Sequence, residues 1–286
     1  MSHSKNMKDY KQYFKPIIAT SKLPFNRKGE KMHAYEIQGL ERMIRFMEDF
    51  KGFENKQGHG ASMKTGDWSG TQTYNECLEV FKGKKKLDLI ERGKEIMHEE
   101  STQEVPTHEF LFKENGLSID VGKFMEGQPE CFLDSEEFYQ NEKTVDINLM
   151  GTYHSGTDPE RIFKNMGRIL KYLKVLEQQK IRTSITLWFP NYLYKKDGET
   201  VDGYMSNVKV PVKGYNEPFN MHKIACMFHP SYFRRGIFKF METSGYIQRG
   251  YGSVPSLNRE EKKKFFCLSD GLTEEEIINF IKKLQK

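Results

Sequence analysis

At 286 residues, with 37% hydrophobic and 13% aromatic residues, the chain can bury a substantial core, which excludes a disordered polymer. The net charge of +5 permits an acidic partner but excludes histone-like basicity. No apolar run is long enough to cross a bilayer, no secretory leader is visible, and the four cysteines are too dispersed for a zinc site or a disulfide framework. The expectation is a soluble cytoplasmic protein with buried free thiols and no membrane contact.

Residues 1–30 are polar, Lys-rich and broken by Pro16, Pro24 and Gly29, and read as an extended, flexible arm with a short helix around Tyr10–Phe14. Residues 31–140 read as an N-terminal helical or capping region. Ile37, Leu40, Ile44 and Met47 form the stripe of an amphipathic helix over Tyr35–Phe50. A second helix carries Tyr74, Cys77, Leu78 and Phe81 and ends at Gly83, and a third follows Lys84–Lys86 with Leu87, Ile90 and Ile96. Glu109–Phe112 and Leu117–Val121 suggest short strands, and Val121–Phe132 a compact loop.

Residues 141–286 carry the pattern of an α/β domain. Val145–Leu149 alternates as a strand does, and Asp158-Pro159 is a strong helix start. Ile162, Phe163, Met166, Ile169, Leu170, Leu173 and Leu176 then recur at helical spacing. Ile185, Leu187 and Phe189 mark the next strand, so the helix is a crossover between parallel strands. Thr183–Leu193 and Tyr204–Lys213 form an antiparallel hairpin around a Lys195–Gly198 turn. A helix starts at Asn220, breaks at His229-Pro230 and resumes over Tyr232–Met241. Lys264–Leu268 is a final strand, and Thr273 with Glu276 forms a capping box on the last helix. The whole predicts a three-layer α/β domain with a mixed, mostly parallel sheet and an N-terminal helical extension.

Three stretches resemble an uncharacterised protein family of phages and other mobile elements. They are Asp67-Trp-Ser-Gly-Thr71 with Tyr74, Glu76 and Gly83; Asp120-Val121 with Phe124, Gly127 and Pro129-Glu130-Cys131; and Asn220–Ala225 running into His229-Pro230, Arg234-Arg235, Phe238 and Glu242. The resemblance covers about residues 67–242 and implies a phage or mobile-element origin without supplying an activity. Cys77 stands where members look to have Ala, and the hairpin is longer than theirs. More weakly, the strand–helix–hairpin order is similar to a von Willebrand factor A-type domain. Gly151-Thr-Tyr-His-Ser155 lacks the first acidic ligand of that family's metal motif.

Candidate sites follow from position. The loop Gly151–Asp158 leaves a strand and enters a helix, where ligands collect in open α/β sheets. There His154 and Asp158, with Asp270 after the last strand, suit a divalent metal, the one cofactor these side chains could hold. Ser155 and Thr157 suit an anion. The plainer alternative is that Asp158 caps the helix and the others are turn residues. His222, Cys226 and His229 allow a metal site or simple packing. Lys223, Arg234, Arg235, Lys239 and Arg249, set among aromatics, suit a nucleic-acid backbone or an ordinary solvated face. The pairs Glu109/Asp120 and Glu126/Glu130 have no fixed geometry.

Gly-x-Ser-x-Gly, His-Glu-x-x-His and Walker patterns are absent, which points away from an enzyme. The expectation is a phage-encoded binding protein acting on a macromolecular partner, protein or nucleic acid. The alternatives are a metal-dependent hydrolase or nuclease at the strand ends, and a virion or assembly component.

Overall fold

The computed structural model describes residues 10–17, 31–53, 60–64, 69–86, 112–113, 118–119, 125, 132–133, 143–154, 156–179, 181–194, 200–218, 220–245, 251, 254–268, 270 and 273–284. Its frame is a mixed six-stranded sheet. In chain order the strands are β1 (Lys15–Ile17), β2 (Lys31–Glu36), β6 (Thr144–Met150), β7 (Arg182–Tyr194), β8 (Thr200–Lys213) and β9 (Phe265–Cys267). They lie side by side as β1-β2-β8-β7-β6-β9. Three short strands, β3 (Phe112–Lys113), β4 (Ser118–Ile119) and β5 (Phe132–Leu133), form a separate antiparallel sheet.

The central unit has the predicted form. Strand β6 pairs in parallel with β7, Ile147 opposite Ile185, across the helix α3 (Pro159–Gln178). Asp158 caps that helix by accepting the Glu160 N–H at 3.0 Å. All seven apolar residues of its stripe, Ile162 to Leu176, are buried. Each such side chain contributes roughly 1.5–3 kcal/mol relative to exposure. Strands β7 and β8 form the antiparallel hairpin, with Phe189 opposite Val208. Strand β9 joins the far side of β6 in parallel.

The N-terminal segments are part of this frame. β2 pairs in parallel with β8, placing Tyr35 opposite Val208, and β1 lies antiparallel on β2. The flexible-arm expectation is therefore corrected for residues 10–17. Tyr10, Tyr13 and Phe14 are buried, and Phe14 stacks on Phe240 at 4.1 Å. Tyr35 and Glu36, expected in a helix, belong to β2. The helix α1 spans Gly39–Asp49, and α2 spans Tyr74–Phe81 with Thr73 as its cap. Both share one core with α3 and the sheet: Met43, Phe46 and Cys77 lie in the same cluster as Ile162 and Val210.

The remaining helices are α4 (Met221–Phe228), α5 (Phe238–Ser244) and α6 (Glu274–Leu284). Between α4 and α5 runs a π-helical segment, Tyr232–Ile237. The buried apolar residues of these six helices, the α-helices among the described residues, join the face of the sheet that carries Val145, Ile185 and Val210. The other face holds a smaller cluster of Ala34, Met150, Trp188, Phe265 and Cys267, with Val254 and Leu257 against it. Among the described residues, no helix is long and apolar enough to cross a membrane.

Candidate functional site

Pro230 has no N–H and disfavours helical backbone in the residue before it. His229 accordingly turns extended (φ −61°, ψ 137°) and ends α4. From Pro230 the chain re-enters helix, and the wide π turn swings Arg235, Lys239 and Glu242 inward. All three have zero solvent exposure.

Their charges are spent on one loop. Arg235 Nη1 donates to the carbonyls of Ala61 (2.8 Å) and Met63 (2.7 Å). Its Nη2 donates to those of Thr71 and Gln72, both at 3.0 Å. One guanidinium thus ties two stretches of the loop together. Lys239 Nζ donates to the Phe53 carbonyl (2.8 Å) and Ser62 Oγ (3.0 Å), and lies 3.1 Å from Glu242 Oε2. Glu242 Oε1 in turn accepts the Ala61 N–H at 2.8 Å and the Tyr251 hydroxyl. A buried charge is tolerated when it is paired or its polar atoms are hydrogen-bonded: Lys239 and Glu242 pair with each other, and four carbonyls receive the Arg235 guanidinium.

A hydroxyl network closes the other side. Thr71 Oγ1 and Ser231 Oγ are 2.7 Å apart, and Ser231 Oγ donates to the Ser69 carbonyl. His229 Nδ1 accepts the Ser231 N–H at 3.1 Å, so its proton sits on Nε2. Burial pushes the His229 pKa down to about 3, holding the ring neutral. Burial likewise drives the Cys77 thiol well above its ordinary value, which leaves it inert as a nucleophile. The network contains a histidine, a thiol and hydroxyls, yet all of them are shut away from solvent. The arrangement fixes the loop from inside the fold.

The expected nucleic-acid cluster is corrected by this burial. Arg235 and Lys239 are inside, where no external phosphate reaches them. Arg234 is half-buried over the rings of Phe238 (5.0 Å) and Tyr251 (6.0 Å). Lys223 lies 3.4 Å from Glu217, beside a cavity of about 210 Å³ that Glu41 and Lys213 also line. Arg249 lies outside the described residues. The missed signal was in the helix itself: Tyr232, Phe233, Ile237, Phe238, Phe240 and Met241 point in every direction, as in a helix buried all round.

The expected metal rim does not assemble either. Among the described residues no three His, Cys, Asp or Glu side chains are grouped to hold an ion, so His154, Asp158 and Asp270 do not converge. Asp158 is spent on its helix cap, His154 is exposed, and the Asp270 carbonyl accepts the Asn165 amide at 2.7 Å. His222 Nε2 lies 3.6 Å from Cys226 Sγ, whereas His229 is turned into its own network. Of the anion pair, Thr157 donates its N–H to the His154 carbonyl at 2.9 Å, and Ser155 lies outside the described residues. So do Glu109, Asp120, Glu126, Glu130, the Lys195–Gly198 turn and the helix expected over Leu87–Ile96.

Two of the three stretches behind the family resemblance thus meet: Ser69-Gly-Thr71 is held by Ser231, His229 and Arg235. A family model described as a domain of unknown function, DUF7192, matches residues 25–285. The chain belongs to the DUF7192 family. The match begins before β2 and ends just past α6, so the family unit contains the whole six-stranded sheet apart from β1. No curated protein and no solved structure matches this DUF7192 chain.

Proposed function

We propose that this is a phage-encoded, non-enzymatic protein that works in the host cytoplasm by binding a macromolecular partner through the loop that Arg235 anchors. The observation that supports this most is the capture of four loop carbonyls by one fully buried guanidinium. A surface fixed in advance loses little conformational entropy on binding, which is where rigid presentation helps affinity. The loop also carries Met63, 49% exposed and, among the described residues, one of few large apolar side chains left in solvent. A flexible thioether suits a protein partner better than a phosphate backbone. The phage origin rests on the family resemblance of the three stretches.

A photo-crosslinker placed at Met63 tests the reading. In extract from infected cells it should give one discrete protein adduct, competed by unmodified protein and lost when Arg235→Met frees the loop. Failure to crosslink, together with turnover of a substrate by the purified chain, would overturn it.

A further inference from the structure

We infer that the protein has a second contact surface, a lysine-rich end built for the sugar–phosphate backbone of a nucleic acid. It lies where β6 and β9 begin and where α3 and α6 finish. It stands apart from the Arg235 loop, whose helix packs over the opposite edge of the sheet, Phe240 lying 5.2 Å from Tyr35 of β2.

The topology assembles it from residues far apart in sequence. Lys143 immediately precedes β6, Lys264 immediately precedes β9, and Lys262 lies in the 3-10 turn Glu261–Lys263 just before it; β9 runs parallel to β6 with Phe265 level with Asn148. Helix α6 leaves the opposite end of β9 and runs back over β6. Its eleven residues span about 16 Å, or about five strand residues, which returns Lys282 and Lys283 to the level where β6 begins. Helix α3 also runs back along β6 and brings Lys174 in its last turns.

All six lysines are exposed, and among the described residues none is in an ion pair. Of the carboxylates nearby in sequence, Glu177 pairs with Lys213 and Glu260 with Lys263, while Glu261 accepts the Asn258 N–H and Asp146 the Ser184 and Tyr215 hydroxyls, so the six lysines outnumber them. The opposite end of the same strands carries an acidic excess, with Asp158, Glu160, Asp270, Glu275 and Glu276 exposed against the exposed cations Arg161 and Lys164. The molecule is thus electrically polarised along its strands, which orients an approaching polyanion toward one end. Lysines in the last turn of a helix also offset its dipole. Lys143 leads into a strand and has no helix end to serve. Flexible ammonium groups without a fixed fork suit phosphates rather than base edges, so the recognition is independent of sequence.

Fluorescence anisotropy of the full chain with a short labelled DNA duplex and an RNA oligonucleotide, across a salt series, tests this. At least one should bind at low salt, with affinity falling linearly in log–log form as salt rises. The variant K262E/K264E/K282E should lower that slope by about three and weaken low-salt binding by about 100-fold or more. Its thermal midpoint should fall by no more than a few degrees, because the three side chains are exposed and only their favourable charge at helix ends is reversed. The matching Lys→Gln variant should show the same loss without adding acid. Absence of binding to both probes, binding unaffected by the reversals, or binding only to phosphatidylserine vesicles would each overturn the inference.

Discussion

Gly70 lies flat against the imidazole of His229. A Cβ built on Gly70 would stand 2.4 Å from Cε1 and 2.6 Å from Nε2 of that ring, and its φ of +70° already favours glycine. Both the contact and the backbone forbid a larger residue, and the ring cannot retreat because Phe163 packs on it at 5.1 Å. Gly70→Ala should therefore destabilise the fold by roughly 2–4 kcal/mol, read as a fall in the urea midpoint. Gly52→Ala, whose Cβ would meet nothing within 4 Å, should leave the midpoint close to wild type.

Lys239 and Glu242 neutralise each other where no water reaches. Lys239→Met removes one partner and leaves a carboxylate uncompensated, so the expected loss is roughly 3–5 kcal/mol. Lys239→Met with Glu242→Gln should recover part of that loss in denaturant unfolding, because the stranded charge is gone. A double variant as unstable as the single one would show that the hydrogen bonds, rather than the charge balance, dominate.

His229 gives stability a pH dependence of known sign. Its folded pKa, about 3, lies below the unfolded value near 6.5, so the folded state disfavours the protonated ring. The contribution is complete above the unfolded pKa. It declines as pH falls from there toward the folded pKa, at roughly 1.4 kcal/mol per pH unit. Urea midpoints measured between neutral and mildly acid pH should fall accordingly. His229→Asn, which keeps an acceptor for the Ser231 N–H, should flatten the profile across that window.

Arg235 should govern the dynamics of its loop more than the integrity of the sheet. In Arg235→Met, amide exchange across residues 60–64 and 69–72 should accelerate by at least about tenfold. Amides of β6 and β7 should keep their wild-type protection. Equal acceleration in both regions would make the guanidinium a general core residue.

Much of the sheet was legible because its signals are local. The Asp158-Pro159 start, the alternation of Val208, Val210 and Val212, and the Thr273–Glu276 box act within one turn or one strand. In the structure Glu276 N–H and Thr273 Oγ1 meet at 3.2 Å, and Thr273 N–H and Glu276 Oε2 at 2.8 Å. The last two residues of β2, Tyr35 and Glu36, read as the start of the helix because Ile37 fits both periods, and only the pairing with β8 decides between them. The candidate site was read inside out for a physical reason. A cation beside aromatics suggests a surface until one sees that the helix has no polar side to leave in water. The lysine end was invisible for another reason. Its members are scattered from Lys143 to Lys283 and become neighbours only once the strand order is fixed.

The parallel pairing of β2 with β8 also sets a timetable for synthesis. Tyr35 leaves the ribosome long before Val208, the residue it must face, has been made. Until the hairpin emerges, the first fifty residues carry Tyr35, Ile37, Met43 and Phe46 with no sheet to cover them. A nascent chain stalled before β8 should therefore be a ready client for a holdase, and release from it should coincide with the appearance of Lys213.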